Sequence, residues 1–260
     1  MLTYPDIDPI LFQLGDIKIR WYGLMYVIGF VFAWWLARRR ATQSWSVIRP
    51  EQVDDLLFYG MLGVILGGRI GYAIIYGFDQ LVSDPLYLIK ITEGGMSFHG
   101  GLAGVMIAMA LYARKLGVRV WAMIDFVAPI TPLGLFFGRV GNFINGELWG
   151  KPTDVPWGFK VDGVVLHPSM LYEAILEGLV LFVILWIFTK RQRPVMSVSG
   201  MFLFFYGVFR FAVEFVRVPD SHLGYLALDW LTMGQILSVP MIIAGAVLFY
   251  LAYKPARSPA

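Results

Sequence analysis

Long apolar runs separated by short polar stretches set the pattern of this chain, with runs over residues 21–37, 56–76, 96–113, 120–137, 169–189, 198–216 and 231–253. Most of them approach the ~20 residues needed to cross a bilayer as a helix, so each predicts a membrane span. Clustered basic residues follow alternate runs: Arg38, Arg39 and Arg40 after the first, Arg114, Lys115 and Arg119 after the third, Lys190, Arg191 and Arg193 after the fifth, Lys254 and Arg257 after the last. Positive clusters face the cytoplasm, and an odd number of spans puts all of them there. The pattern therefore predicts an all-α, polytopic integral membrane protein. It would have seven transmembrane helices, the N-terminus outside and the C-terminus cytoplasmic, in one transmembrane domain over residues 1–260 with a short outer-face cap at about 141–168.

Local signals refine this outline. Residues 1–20 hold Asp6, Asp8 and Asp16 and lack the basic start of a secretory signal, so they do not read as a cleaved leader. Gly63, Gly67 and Gly71 recur at every fourth position, a small-residue face on which a second helix can pack closely. Pro129 and Pro132 interrupt the fourth run and predict a kink. Ser169 reads as the N-cap of the fifth span, and residues 151–166, with Pro152, Asp154, Pro156, Lys160 and Asp162, are long enough for a short hairpin but not for a domain.

Composition narrows the function classes. The chain is 58% hydrophobic and 15% charged, with a mean hydropathy of +0.67, more apolar surface than a soluble domain of 260 residues needs to bury. A net charge of +3, dispersed in clusters beside apolar runs, argues against a nucleic-acid partner. There is no cysteine, which excludes disulfides, thiolate metal sites and a cysteine nucleophile, so a thiol in the chemistry must come with the substrate. His99, His167 and His222 are scattered without metal-ligand spacing, and the expectation is no metal and no cofactor.

The least membrane-like stretch in the middle of the chain is residues 138–150, where Arg139, Asn142, Asn145 and Glu147 are spaced by glycines at the end of an apolar run. It reads as a polar turn at the outer edge of the bilayer. Arg69 lies past mid-membrane; it either snorkels to the outer interface or is compensated inside, since a lone charge near the centre costs ~2.5–3.5 kcal/mol on the mildest scale. His99 sits at the outer end of its span among Gly94, Gly95, Gly100 and Gly101. Glu173 and Glu177 share one helix face and must point inward, towards an arginine. Tyr206, Arg210, Glu214 and Arg217 form one polar stripe in which Arg210 and Glu214 have ion-pair spacing. The topology brings Tyr22, His99, Arg139, Asn142, Glu147 and Arg210 to the outer leaflet, with Arg69 below them. Arginines gathered at one depth suit an anionic lipid headgroup, because guanidinium donors match phosphate oxygens. Two other readings stay open: a transporter or channel for an anionic solute, with Asp54, Asp55 and Asp125 as its cytoplasmic polar residues, and a scaffold whose charges are internal ion pairs.

Over nearly its whole length the chain resembles the bacterial prolipoprotein diacylglyceryl transferase family. The likeness is carried by residues 21–26 with Trp21 and Tyr22, by Gly68-Arg69-Ile70-Gly71-Tyr72, by Ser97-Phe98-His99-Gly100-Gly101-Leu102, by the stretch from Gly138 to Gly150, by His167-Pro168-Ser169 and by Tyr206-Gly207-Val208-Phe209-Arg210. Residues 151–166 are shorter than the outer head of some members. The resemblance implies transfer of the diacylglyceryl group of phosphatidylglycerol to the lipobox cysteine of a preprolipoprotein signal peptide, with release of glycerol phosphate. It also implies a multi-pass protein of the bacterial cytoplasmic (inner) membrane, with its site towards the outer face and membrane lipid as its surroundings. Such a reaction needs a base for a thiol of pKa about 8.5 and charge to stabilise a departing phosphate. His99 is the expected base, with Glu147 or the substrate itself as competitors; Arg139 and Arg210 are expected to meet the phosphate, and Tyr22 to contribute its phenol. Asn142, Asn145, Arg69, Tyr206, Glu214 and Gly150 complete the expected substrate contacts.

Overall fold

The apolar runs fold as helices, and residues at their ends show why each starts and stops where it does. The computed structural model describes residues 1–5, 7–15, 17–90, 95–219, 224–228 and 230–254; Asp6, Asp16, Gly94, His222 and Arg257, singled out above, lie outside the described residues. A short strand β1 (Leu2–Thr3) precedes the antiparallel hairpin of β2 (Ile10–Leu14) and β3 (Ile17–Arg20), which runs straight into α1 (Trp21–Ala41). The next helix, α2 (Gln52–Ile75), carries Asp54 and Asp55 in its first turn, where carboxylates suit the positive end of the helix dipole. A short helix α3 (Phe78–Ser83) and a 3₁₀ turn (Pro85–Ile89) lead to α4 (Phe98–Lys115), whose N-cap Ser97 accepts a hydrogen bond from the Gly100 amide. After these come α5 (Val120–Val127), α6 (Thr131–Ile144) and the β4 (Phe159–Val161) and β5 (Val164–Leu166) hairpin. One continuous helix then comprises α7 (Ser169–Glu173), a π-helical turn (Ala174–Val180) and α8 (Leu181–Phe188); α9 (Ser197–Val213) and α10 (Met233–Tyr253) follow.

Among the described residues three helices are long and apolar enough to cross a membrane, Gln52–Ile75, Ser169–Phe188 and Met233–Tyr253, and a fourth span results if α5 and α6 count as one bent element. The bend between them is 45°, at the break that holds Pro129, with Pro132 in the first turn beyond it, as the prolines predicted. The all-α expectation needs correction: the chain is mostly helical but also carries two small sheets, one of order β1-β4-β5 and the β2-β3 pair. In the expected hairpin, Asp162 and Gly163 both have positive φ (47° and 85°), the two-residue turn that matches the twist of paired strands. Its register places Leu2 opposite Phe159, so the N-terminal residues form the outer strand of the cap sheet.

Two further expectations change. The fourth run was expected to end at residue 137, but α6 continues to Ile144, so Arg139 and Asn142 project from a helix rather than a loop. Pro168, not Ser169, holds the N-cap position of α7; Ser169 is the first helical residue and its hydroxyl donates to the Leu148 carbonyl at 2.7 Å.

The described residues form two compact units, Ala37–Phe126 and, together, Met1–Leu36 with Val127–Ala260. In the first, α2 and α4 meet glycine to glycine. A Cβ on Gly63 would lie 2.6 Å from the Gly104 carbonyl oxygen, one on Gly71 would lie 2.7 Å from the Gly100 Cα, and one on Gly67 would strike the Gly100 carbonyl. In that unit Arg69 does not snorkel. It is 2% exposed, its Nη2 donates to the Tyr87 carbonyl at 2.5 Å, and its Nη1 and Nε donate to Gly95 and Leu88 carbonyls at 3.2 Å each. Its guanidinium also lies 4.6 Å from the Tyr87 ring centre, so the charge is compensated by backbone oxygens and an aromatic face.

In the second unit α6 packs on the π turn, where a Cβ on Gly178 would lie 2.7 Å from that of Phe136. Likewise α9 crosses α10 at Gly200, Gly207 and Gly245. These contacts carry the elements that build the site.

Candidate active site

The end of α6 is shaped by Gly146. Its φ of +67° and the bonds from its amide to the Phe143 carbonyl (3.1 Å) and from the Glu147 amide to the Asn142 carbonyl (3.1 Å) make a Schellman ending, which needs a residue free of a Cβ penalty. The Tyr4 hydroxyl adds a cap, 2.9 and 3.0 Å from the Phe143 and Ile144 carbonyls. This ending folds Glu147 back over the helix. Asn142 Nδ2 donates to Glu147 Oε1 at 2.7 Å, Asn145 Nδ2 donates to the same oxygen at 3.3 Å, and Arg139 Nη1 donates to Asn142 Oδ1 at 3.3 Å. The glycine spacing of the stretch thus yields a relay from Glu147 through Asn142 to Arg139. Gly146→Ala is expected to cost about 1 kcal/mol of stability, because a Cβ there adopts the left-handed region and lies 3.2 Å from the Tyr4 hydroxyl; thermal unfolding in detergent reads the loss.

Opposite this relay stands a buried carboxylate. Glu173, fully buried at the end of α7, lies with Oε2 2.5 Å from Arg139 Nε and with Oε1 3.1 Å from Arg210 Nη1 and 2.6 Å from Arg217 Nη1. Glu214 lies 2.7 Å from Arg210 Nη2 and 3.0 Å from Arg217 Nε, and accepts from the Thr232 hydroxyl at 2.8 Å. Glu177, one turn along the π segment and 1% exposed, lies 4.0 Å from Arg210 Nη1. Burying this many charges is tolerated only because each faces an opposite one. Of the three arginine side chains Arg139 is the most open, 25% exposed against 19% for Arg210 and 13% for Arg217, and its Nη2 has no partner among the described residues. The arrangement therefore leaves one guanidinium edge, that of Arg139, open while the other donors stay on buried carboxylates.

Neighbouring elements hold these groups in register. The Tyr22 ring packs on Gly141, where a Cβ would lie 2.8 Å away. Its hydroxyl is 3.1 Å from that of Tyr26. On α9, Tyr206 stacks on Phe202 within the apolar cluster around Leu181 and Leu185. Gly150 approaches backbone: its amide donates to the His167 carbonyl at 2.8 Å, it pairs with Arg217 as an isolated bridge, and a Cβ would lie 2.9 Å from that of His167. Burial holds the His167 imidazole below its ordinary pKa against a smaller opposing pull from Asp154, and its Nδ1 lies 3.1 Å from the Tyr172 hydroxyl.

Of the residues expected at the site, Arg139, Asn142, Asn145, Glu147, Arg210 and Glu214 join one polar network in this unit, with Tyr22 against the same stretch of α6. His99 and Arg69 belong to the other unit; His99 is exposed in the first turn of α4, its ring edge-on to Phe98 at 5.5 Å. Glu173 and Glu177 do face an arginine, as their spacing required, but nothing in the sequence marked Glu173 as shared by three. Thr232 was missed although its signal was legible: Thr232 and Gln235 have capping-box spacing, and both reciprocal bonds form at the start of α10.

Apolar helices long enough to cross a bilayer fit a membrane protein, and its polar centre is a half-buried cluster in which arginines from α6 and α9 share one carboxylate. Sequence comparison gives the family. The sequence model of the prolipoprotein diacylglyceryl transferase family matches residues 9–251, and the chain belongs to that family, a family of transferases. Among curated relatives, the phosphatidylglycerol–prolipoprotein diacylglyceryl transferases of Methylococcus capsulatus and Chromohalobacter salexigens are each 58% identical, over 97% and 95% of this chain and 98% and 93% of their own lengths. That of Pseudomonas aeruginosa is 53% identical over 98% of this chain and 97% of its own.

Proposed function

We propose that the protein transfers the diacylglyceryl group of phosphatidylglycerol to the thiol of the lipobox cysteine in a preprolipoprotein signal peptide. A thioether forms and glycerol phosphate leaves. The observation that carries this reading in the geometry is that Arg139 and Arg210, from different helices, meet on one carboxylate, so that both can face a single phosphate. The names of relatives at 53–58% identity supply the substrates.

In the reaction, sulfur bonds to a glycerol carbon as the carbon–oxygen bond to phosphate breaks. The bonding pair passes to the phosphate oxygen, and the thiol proton passes to a base. Arg139 and Arg210 stabilise the charge gathered on the leaving phosphate. Asn142 and Glu147 keep Arg139 aimed, while Tyr22, Tyr206 and Asn145 offer hydrogen bonds to the glycerol and its esters. Glu214 and Gly150 serve the substrate through Arg210 and Arg217, and Arg69 is a further residue of the proposed substrate set. In this proposal His99 is the base that takes the thiol proton, with Glu147 or the substrate itself as the competing source.

The topology that goes with this reading has seven spans, the N-terminus outside and the C-terminus cytoplasmic, in one transmembrane domain. The cap at about 141–168 and the site face the outer side of the bacterial inner membrane. A transporter for an anionic solute finds no support in the family to which the chain belongs.

The purified protein in phosphatidylglycerol vesicles is expected to convert a lipobox peptide to its diacylglyceryl thioether with one glycerol phosphate released per peptide; glycerol phosphate without modified peptide would overturn the reading. In the same assay the deficit of His99→Gln is expected to shrink as pH rises past the thiol pKa of about 8.5, because the substrate then ionises unaided. A deficit constant with pH would remove His99 as the base.

A further inference from the structure

Glu173 takes no part in the reaction as written, yet three cationic side chains end on it. Arg139 reaches it from α6, whereas Arg210 and Arg217 reach it from α9 and the turn that follows. Three guanidiniums this close repel one another, more strongly in a buried setting than in water, unless an anion lies between them. A carboxylate has two oxygens and about four acceptor positions, enough for three donors, and the fixed fork of each guanidinium then sets its plane. The other glutamates are placed differently. Glu214 holds Arg210 and Arg217, and Glu177 comes no nearer to Arg210 than 4.0 Å. Among the described residues only Glu173 lies within 4.0 Å of Arg139, Arg210 and Arg217 together. The π turn that begins one residue later, at Ala174, keeps Glu177 on the Arg210 side as well, the kind of local widening that recurs at functional sites.

We infer that Glu173 is a positioning residue for the transfer: its carboxylate sets the spacing and planes of Arg139 and Arg210 before lipid arrives, and offsets enough of their charge that the phosphate product can leave. This rests on the reading that the two arginines stabilise a departing phosphate. It makes a split prediction, because alignment governs turnover whereas net charge governs anion affinity.

The test uses the full-length protein in phosphatidylglycerol vesicles with a lipobox peptide, and measures kcat, KM for the lipid and inhibition by added glycerol phosphate. Glu173→Gln is expected to lower kcat about 100-fold while KM falls and glycerol phosphate inhibits at several-fold lower concentration, since the cluster loses one negative charge. Glu173→Asp keeps the charge but draws the carboxylate back by one carbon. It is expected to lower kcat about 10-fold with KM near that of the unaltered protein. A purely structural role predicts less folded protein with kcat per folded molecule and both affinities unchanged, and that result overturns the inference. If Glu173→Gln yields no folded protein, Glu173→Asp decides alone, and an unaltered kcat overturns it. If the unaltered protein itself turns over no phosphatidylglycerol, the proposed function fails instead. Calorimetric binding of glycerol phosphate then still reads the inference, tighter binding to Glu173→Gln supporting it and equal or weaker binding overturning it.

Discussion

Arg139→Gln is expected to lower kcat for lipobox-peptide modification by about 100- to 1,000-fold with little loss of folded protein, measured in phosphatidylglycerol vesicles. Removing one preorganised donor aimed at developing charge costs ~3–4 kcal/mol of barrier, which is this range. Most stability is kept for a reason visible in the network: when Arg139 goes, Glu173 loses the partner of Oε2 but keeps Arg210 and Arg217 at 3.1 and 2.6 Å on Oε1, so its charge stays compensated. Arg139→Lys separates charge from geometry. Lysine restores a cation but not the planar fork that binds Asn142 and Glu173 at once, and a rate between those of glutamine and arginine is expected. Unchanged rates in both variants would remove the phosphate-stabilising role.

The largest effect on stability is expected from a methyl group in the α2–α4 contact. Gly104→Ala places a Cβ against the Gly63 carbonyl oxygen and 2.8 Å from the Gly67 Cα, all backbone that no side-chain rotation can relieve. The helices must separate, and a cost of about 2–3 kcal/mol is expected. Gly134→Ala supplies the contrast. It lies in α6 with nothing within 4 Å of its Cβ position, so the substitution is expected to be neutral or stabilising by up to about 1 kcal/mol, as for alanine over glycine in a helix interior. Unfolding midpoints in detergent that move in the same direction for both would show that the helix contact is not the limiting feature.

Features that depend on near neighbours in sequence were readable before any coordinates. The glycines four apart on α2 meet the glycines of α4, Pro129 marks the break between α5 and α6, and residues 151–166 hold the short hairpin expected there. The Arg210–Glu214 pair formed because i,i+4 residues share a helix face whatever the fold around them. The extension of α6 to Ile144 was hidden, because a stretch rich in glycine and asparagine reads as a loop until Tyr22 packs on Gly141 and Tyr4 caps the helix end from more than a hundred residues away. Arg69 was ambiguous for a similar reason: its carbonyl partners are Tyr87 and Leu88 of the 3₁₀ turn and Gly95, some twenty residues downstream.

Apolar periodicity, basic clusters and glycine spacing determined by themselves that this is a helical membrane protein, and the motifs along the chain marked its family. These are properties of composition and of residues within a turn or two of each other. Which carboxylate gathers which arginines was decided only by the tertiary structure. Glu173 lies 34 positions after Arg139, and Arg210 and Arg217 reach it across 37 and 44 positions on the other side; opposite charges at such separations meet only where packed helices bring them together in a low-dielectric interior.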